Sequence, residues 1–189
     1  MAPATPTSDA RKRSLLLQRT HTFLTHLTTQ APLTPTLLSN FSSEIKIHEH
    51  GLPALAPFLG RDYVGLDAAR RYFEEMGAHL RYEGMRFEEE AEWVVDVARG
   101  VVVVRGWARF EARRTGQGWG EGFVYRLRMG GDSCEIEEGD FPEGEGEVKV
   151  KEYLVWADTG AAYLALRGEL RGEGQGEELG LGQESGLGL

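Results

Sequence analysis

The sequence predicts an α+β domain in which a curved antiparallel sheet packs on three N-terminal helices. Apolar residues follow a helical spacing through most of the first 80 residues, with one strand-like stretch between the second and third helices. From residue 85 to about 157 the pattern alternates with a period of two. This segregated order is typical of α+β folds. A sheet with one apolar face must cover that face with the helices, which predicts a cone whose mouth can hold a small ligand.

Three helices are predicted before the main run of strands. The first extends from residue 9 to about 29, with Asp9 or the preceding serine as its cap. The second is the short stretch TPTLLSNF, where Pro35 suits a first turn. The third is LDAARRYFEEMGAHL, residues 66–80. The residues expected to face the core are Leu16, Leu17, Phe23, Leu24, Leu27, Ala69, Tyr72, Phe73, Met76 and Leu80.

The strands are predicted from alternation. EIKIHEH, residues 44–50, is the first strand, and a loop rich in proline and glycine follows it up to residue 65. Four strands are then expected at 85–97, 101–114, 122–129 and 147–157. A short closing helix follows. We expect Asp158 to cap that helix, the alternative being a role as a base.

The net charge of −9 is concentrated in two segments. Residues 130–147 carry eight acids and no base, and residues 171–189 carry four acids and one arginine, which leaves +2 for the rest of the chain. We therefore expect one domain over residues 9–170 with a flexible acidic loop at 130–147, a disordered lead at 1–8 and a disordered Gly/Glu-rich tail at 171–189. The near-neutral domain does not indicate a nucleic-acid partner.

Other features bear on location and cofactors. No apolar run approaches the roughly 20 residues that cross a bilayer, so we expect no membrane partner. The single Cys134 excludes a disulfide framework within the chain and favours a cytoplasmic location. The basic, Ser/Thr-rich stretch from residue 10 to 43 also suits a mitochondrial transit peptide, which stays the alternative.

Several stretches in this order resemble the nuclear-transport-factor-2-like (NTF2-like) superfamily, in particular its SnoaL-like branch. The third helix GLDAARRYFEEM, the hairpin VVVVRGWA with TGQGWGEGFVYRLRM, and the final strand with its helix, EVKVKEYLVWADTGAAYLA, are similar to that branch. The resemblance covers roughly residues 9–170. It implies a cone-shaped domain that often dimerises through the outer face of its sheet. Its members include isomerases, dehydratases, cyclases, epoxide hydrolases and non-enzymatic binding domains, so the pocket must decide the function.

The resemblance also implies catalytic positions that this sequence does not fill. SnoaL-type cyclases carry a pocket histidine on a hairpin strand and a pocket aspartate on the last strand. Tyr125 and Val155 stand at those two positions here. Cyclase chemistry by that mechanism is therefore not expected.

The first strand supplies the candidate base. Its alternation places Glu49 on the side of Ile45 and Ile47, which we expect to be buried near the mouth of the cone, with His48 and His50 on the other side. A carboxylate in an apolar cone has a raised pKa and can act as a general base. The competing interpretation is a structural carboxylate that reaches solvent or a backbone donor. If the register slips, His48 and His50 face the ligand instead. Two histidines without a third ligand do not indicate zinc, so we expect no metal.

The remaining candidates are aromatic. Tyr125 and Tyr153 can donate hydrogen bonds to a ligand carbonyl or oxyanion, the competing interpretation being core tyrosines. Trp107 lies among charged residues on the less apolar side of its strand. We expect it in a homodimer interface, or in contact with the ligand if the protein is a monomer.

Two functions fit these observations. The first is binding of a small hydrophobic metabolite, with acid/base chemistry of a lyase, isomerase or cyclase that needs no cofactor, in which Glu49 and Tyr125 are catalytic. The ligand contacts in that case are His48, His50, Trp107, Tyr125, Tyr153 and Val155. The second function is a ligand-binding or dimerisation module without catalysis.

Overall fold

The computed structural model of the chain describes residues 8–29, 35–131 and 148–171. The helices are α1 (Ser8–Thr28), α2 (Pro35–Leu38), α3 (Leu66–His79) and α4 (Thr159–Arg167). The strands are β1 (Phe41–Glu49), β2 (Asp62–Val64), β3 (Leu80–Phe87), β4 (Val94–Asp96), β5 (Val101–Ala112), β6 (Gly118–Gly131) and β7 (Val148–Trp156). A short 3-10 helix, Glu90–Glu92, precedes β4.

The strands form one curved, mixed sheet. Its order is β2-β1-β7-β6-β5-β3, and β4 pairs with β5 beside β3. All pairs are antiparallel except β1 and β7, which are parallel. The predicted α+β class is confirmed, and the purely antiparallel sheet is wrong at this one pair. The two strands can run in parallel because α3 and the β3–β6 meander separate them along the chain.

The helices cover the concave face of the sheet. Phe23 of α1 meets Phe41 of β1 and Tyr153 of β7 edge-on, with ring centroids 5.5 and 5.3 Å apart. Phe73 of α3 stacks on the same Phe41 at 6.0 Å. Aromatic pairs of this geometry add to the burial of apolar area, so these contacts fix both long helices on the sheet. Of the predicted core residues of α1, Leu17 alone is only partly buried.

The predicted strand at 85–97 is two strands with a break between them. β3 ends at Phe87, the 3-10 helix follows, and β4 begins at Val94. Trp93 is only 6% exposed, and its indole nitrogen donates to the Glu88 carbonyl at 3.0 Å. The chain leaves the edge of β5 to bury this ring and then rejoins β5 in the same direction, since β3 and β4 both pair antiparallel with it. Alternation alone cannot represent such a break.

A short strand was missed beside β1. Residues 62–64 lie within the predicted loop, yet they form β2 and pair with β1 through Ile47 and Tyr63. Strand β1 therefore has a hydrogen-bonded neighbour on each side, β2 and β7, and lies inside the sheet. Gly60 allows the loop after β1 to fold back so that β2 can pair with β1. Its φ is +65°, and a Cβ there would come within 2.3 Å of the Gly51 carbonyl oxygen.

The predictions for the ends and the acidic loop fall largely on residues 1–7, 132–147 and 172–189, which lie outside the described residues. Among the helices described, none combines the length and apolar character needed to cross a membrane.

Candidate functional site

The candidate site is built around Glu49, the last residue of β1. Ile45 and Ile47 are fully buried on the concave face of the sheet, and Glu49 on the same side is only 7% exposed. The inward orientation predicted from alternation is thus confirmed. The Tyr72 hydroxyl of α3 donates to Glu49 Oε2 at 2.7 Å. This bond replaces part of the hydration that the carboxyl group loses on burial.

The environment of Glu49 favours its neutral form. Burial raises its pKa from the ordinary value to about 7, the Tyr72 hydrogen bond partly opposes the rise, and the nearby Glu121 carboxylate adds to it. Burial and the adjacent Glu49 charge hold the pKa of Tyr72 well above its ordinary range, so the phenol keeps its proton. Glu49 therefore holds or releases a proton near neutral pH while Tyr72 remains a hydrogen-bond donor.

A second carboxyl group, Glu121 of β6, faces the same interior. It is paired with Ala108 of β5, whose side chain is buried. The indole nitrogen of Trp119 donates to Glu121 Oε2 at 2.9 Å, and the backbone nitrogen of Asp158 donates to the same oxygen at 3.2 Å. Burial again raises the pKa to about 7, the Trp119 bond opposes this, and the Asp158 carboxylate adds to the rise.

Both carboxyl groups line one small cavity inside the cone, which we call the interior cavity. Its volume is about 40 Å³. Its other lining residues are Phe58, Leu59, Tyr72, Met76, Leu80, Phe110, Trp119, Phe123, Tyr125, Val155, Ala157, Asp158, Thr159 and Ala162. Two proton-exchanging groups in a mostly apolar enclosure form an arrangement suited to acid/base chemistry.

Three of the predicted ligand contacts lie on this inner side. Tyr125 and Val155 line the interior cavity. Tyr153 is 2% exposed and packs edge-on to Tyr125 at 5.0 Å, and the lining residues of the cavity do not include it. Burial is the main cause that raises the pKa of both phenols, so each keeps its proton. A protonated phenol can donate a hydrogen bond.

The other three predicted contacts lie on the outer face of the sheet. His48 Nδ1 is 2.7 Å from Asp62 Oδ1, and the ring of His50 stacks on Trp156 at 4.3 Å. Burial and the neighbouring His48 lower the pKa of His50. Trp107 is flanked by two arginines in cation–π geometry, with centroid distances of 5.9 and 5.3 Å. None of His48, His50 and Trp107 reaches the interior cavity, because Ile45, Ile47 and Glu49 take the inner positions of β1 and β5 alternates as predicted.

Asp158 is the cap of α4. Its Oδ1 accepts hydrogen bonds from the backbone nitrogens of Gly160 and Ala161, both at 3.0 Å. This arrangement confirms the predicted cap. Within the described parts of the chain, no group of three or more His, Cys, Asp or Glu side chains is arranged to hold a metal ion.

Sequence reasoning missed Glu121 and the partner role of Tyr72. Glu121 lies two residues before Phe123, so the alternation of Phe123 and Tyr125, continued backwards, places it inward. The predicted strand begins at residue 122, so Glu121 falls just outside the predicted alternation. Tyr72 was expected in the core, but a contact between residues 72 and 49 depends on tertiary packing and leaves no local signal.

The fold is that of NTF2-like proteins, as solved structures show. An NTF2-like protein of unknown function from Burkholderia pseudomallei superposes with a TM-score of 0.60 at 14% identity, covering 80% of this chain and 97% of that one. TerC, co-crystallised with polyporic acid, gives 0.58 at 14% identity, covering 81% and 98%. The BvnE pinacolase from Penicillium brevicompactum gives 0.53 at 17% identity, covering 78% and 89%. No protein-family model matches the sequence, and neither does any curated protein.

Proposed function

We propose that the protein binds a small hydrophobic metabolite inside the cone and moves a proton from one atom of that molecule to another by acid/base chemistry. This chemistry needs no cofactor and is that of a lyase, isomerase or cyclase. One observation carries this proposal: Glu49 and Glu121 line a single apolar cavity, and burial raises the pKa of each to about 7. A base works best when its pKa lies near the working pH. The names of two structural neighbours, a pinacolase and a protein co-crystallised with polyporic acid, are compatible with this class.

The roles follow from the contacts. Glu49, as a carboxylate, removes a proton from the carbon between a carbonyl group and a C=C bond. The electron pair of the C–H bond forms a new C=C bond to the carbonyl carbon, and the π electrons of the carbonyl group move onto its oxygen. The Tyr125 hydroxyl, or the acid form of Glu121, donates a hydrogen bond to that oxygen. Return of the proton from Glu49 to another carbon completes an isomerisation with no net change in charge. Tyr72 is a positioning residue, because it acts through its 2.7 Å bond to Glu49.

Deuterium exchange tests this proposal with a simple ketone in place of the natural substrate. The rate of deuterium uptake at the α-carbons of a neutral cyclic ketone, 2-tetralone, is measured in D₂O by NMR with and without the protein. We expect acceleration that grows as the pH rises through about 7, because the base must be ionised. Glu49→Gln should reduce it by about 10²- to 10⁴-fold.

The matched control is Glu75→Gln. Glu75 is also a carboxylate bound by a tyrosine, since the Tyr63 hydroxyl donates to it at 2.7 Å, but it does not line the interior cavity. This variant should exchange deuterium as the unaltered protein does. Equal rates for the unaltered protein and Glu49→Gln would remove Glu49 as the base.

A binding module without catalysis is the second candidate, and one feature favours it. The two positions that carry the catalytic pair in SnoaL-type cyclases hold Tyr125 and Val155, and both side chains line the interior cavity. If the cavity binds apolar probes while the protein does not accelerate deuterium uptake by any enolisable ketone, this function replaces the first.

We also propose a homodimer formed through the outer face of the sheet, in a cytoplasmic protein. Trp156 is 39% exposed and Val64 is 60% exposed on that face, and Trp107 lies between arginines. Aromatic and arginine side chains are enriched in interfaces. Sedimentation at micromolar concentration should give about twice the 21.0 kDa chain mass. Trp156→Glu should shift it towards the monomer, and a monomeric unaltered protein would contradict the proposal.

A further inference from the structure

The interior cavity is too small for the ligand that the proposed function needs. At about 40 Å³ it has room for only a few water molecules. Sites for metabolite-sized ligands usually enclose several hundred Å³. The carboxyl groups can therefore meet only one end of such a molecule, and the remainder must lie elsewhere.

A larger groove lies next to the interior cavity. Its volume is about 480 Å³, and it opens between α1, α2, α3 and the edge strand β3. Leu27, Leu37 and Phe73 supply apolar walls, and His26 and Tyr82 lie at its side. This volume falls within the usual range for small-molecule sites.

The groove and the interior cavity share three lining residues, Met76, Leu80 and Phe110. These three side chains are therefore the partition between the two spaces. Leu80 is 7% exposed at the start of β3, and Phe110 is 9% exposed and stacks on Trp119 at 5.7 Å. Moving either of them would disturb the core.

Met76 is the part of the partition that can move. It is only partly buried, and its unbranched side chain has three rotatable bonds. Its backbone is fixed, because its carbonyl accepts the hydrogen bond from the Leu80 nitrogen at the end of α3. The side chain can thus change rotamer while the helix stays in place.

We infer that the groove and the interior cavity form one two-compartment ligand site, gated by the Met76 side chain, for an elongated neutral molecule that is apolar along its body and carries a carbonyl or hydroxyl group at one end. The body lies in the groove, and the polar end passes Met76 to reach Glu49 and Glu121. This inference rests on the proposed function, since it assumes that the carboxyl groups meet a ligand.

The charges around both compartments favour a neutral ligand. At the rim of the groove, Arg81 pairs with Glu111 at 2.7 Å and Arg109 with Glu83 at 3.6 Å. Arg113 donates to backbone carbonyls of α3 and β3. Each arginine already has an acceptor, so an anion gains little there. Inside, two carboxyl groups repel an anion once either is ionised.

Methionine-methyl NMR tests the gate directly. The protein has four methionines, so ¹³C-methyl labelling gives few signals, and leucine variants assign those of Met76 and Met85. The probe is 4-phenylphenol, a neutral molecule with an apolar body and one hydroxyl end. We expect the Met76 methyl signal and the Trp119 indole N–H signal to shift together during titration, since each residue borders the interior cavity.

Substitution of Met76 changes the gate without touching the carboxyl groups. Met76→Ala should bind 4-phenylphenol at least about fivefold more tightly, because the open state no longer has to be selected. Met76→Trp should weaken binding at least as much by filling the passage. The matched control is Met85→Ala, since Met85 is also partly buried and lines neither compartment. It should bind as the unaltered protein does, and thermal melts establish that all three variants are folded.

Two results would overturn the inference. One is a shift of the Met76 signal with no change at Trp119, which would confine the probe to the groove. The other is equal affinity in Met76→Ala and Met85→Ala. At pH 8 the anionic probe biphenyl-4-carboxylate should bind at least tenfold more weakly than 4-phenylphenol. Tighter binding of the anion would contradict the neutral ligand that the inference requires.

Probe binding and deuterium exchange test the gated site and the proposed chemistry independently. If probe binding passes through Met76 but Glu49→Gln leaves deuterium exchange unchanged, the gated site stands and the proposed chemistry fails. If Glu49→Gln abolishes exchange while the Met76 variants bind alike, the chemistry stands and the gate fails.

Discussion

One carboxyl group lies on each face of the sheet at strand β1, and the two are in opposite electrostatic states. On the inner face, burial raises the pKa of Glu49 to about 7. On the outer face, hydrogen bonds from Lys46 and His48 lower the pKa of Asp62, which belongs to the neighbouring strand β2. Both acids have a hydrogen-bond donor at 2.7 Å. The difference comes from solvent and charge: Asp62 is about half exposed beside the Lys46 ammonium group, whereas the Glu49 carboxyl group has lost its water and gained only a neutral phenol.

The inner and outer faces of the sheet should also differ in how tightly their side chains pack, and the β5–β6 hairpin is where we expect the largest effect of a substitution. The rings of Phe87, Phe123 and Tyr125 contact one another on the inner face of the sheet, and we call them the inner aromatic cluster. A Cβ at Gly106 would come within 2.4 Å of the Phe123 ring and 2.9 Å of the Phe87 ring. Gly106→Val should therefore lower the free energy of unfolding by more than about 3 kcal/mol, measured by urea denaturation.

Gly120 is the matched control on the same hairpin. It is exposed, and a Cβ there would meet no atom within 4 Å. Gly120→Val should change stability by less than about 1 kcal/mol and can raise it, because valine suits a strand better than glycine. Similar losses at both positions would mean that the inner cluster is not tightly packed.

The next effect is the pH dependence caused by Glu49. In the unfolded chain this group titrates near its ordinary pKa of 4.5, and in the folded chain near 7. The folded state therefore holds the proton more tightly, and stability falls as the pH rises from about 4.5 to about 7, then stays level with respect to this group. A shift of that size corresponds to about 3 kcal/mol.

Glu49→Gln should remove this loss. Relative to the unaltered protein, the variant should be about 1 kcal/mol less stable near pH 4, since the amide leaves part of its own hydrogen bonding unsatisfied, and up to about 2 kcal/mol more stable at pH 8. Urea denaturation across this pH range measures the difference. The stability of the Glu49→Gln variant should still decline between pH 4.5 and 7 because of Glu121, whose pKa is also raised to about 7. Adding Glu121→Gln should remove that remaining decline. A variant less stable than the unaltered protein at pH 8 would show that Glu49 is bound as a structural carboxylate.

The sequence predicts the inward direction of the Glu49 side chain and a pKa raised by burial, but not the neighbouring groups that set how far the pKa rises. Alternation requires Ile45, Ile47 and Glu49 to share a face, and this is local information. The donor on Tyr72 lies 23 residues away, and Glu121 lies on another strand, so the pKa depends on packing that no pattern encodes. The same limit explains the fold: the helices and the hairpin follow from local period, whereas the parallel pairing of β1 with β7 and the break between β3 and β4 at the buried Trp93 depend on tertiary contacts.

A smaller effect is expected from the tyrosine that binds Glu49. Tyr72→Phe removes the bond that lowers the pKa of Glu49, so that pKa should rise further above 7. Infrared titration of the protonated carboxyl band measures this change. At pH 8 the ionised carboxylate would be left without its donor, and stability should fall by about 1 to 2 kcal/mol. Tyr63→Phe is the control, because that hydroxyl binds Glu75 and not Glu49. A Glu49 pKa that stays the same in both variants would contradict the role of Tyr72.

The smallest effect belongs to the outer face. Asp62 lies 2.9 Å from Lys46 and 2.7 Å from His48, but its side chain is about half exposed, so water and salt screen both pairs. Because its pKa is lowered in the folded state, its contribution is present above the pKa of the unfolded chain and is lost as the pH falls through the folded value. Asp62→Asn should therefore cost less than about 1 kcal/mol at pH 7, and this cost should shrink as the pH falls through the lowered pKa of Asp62. This dependence has the opposite sign to that of Glu49→Gln, and 1 M NaCl should remove most of it, while the effect of the buried Glu49 should persist in salt. If both variants respond to salt alike, the interior cavity is open to water and the contrast between the two faces fails.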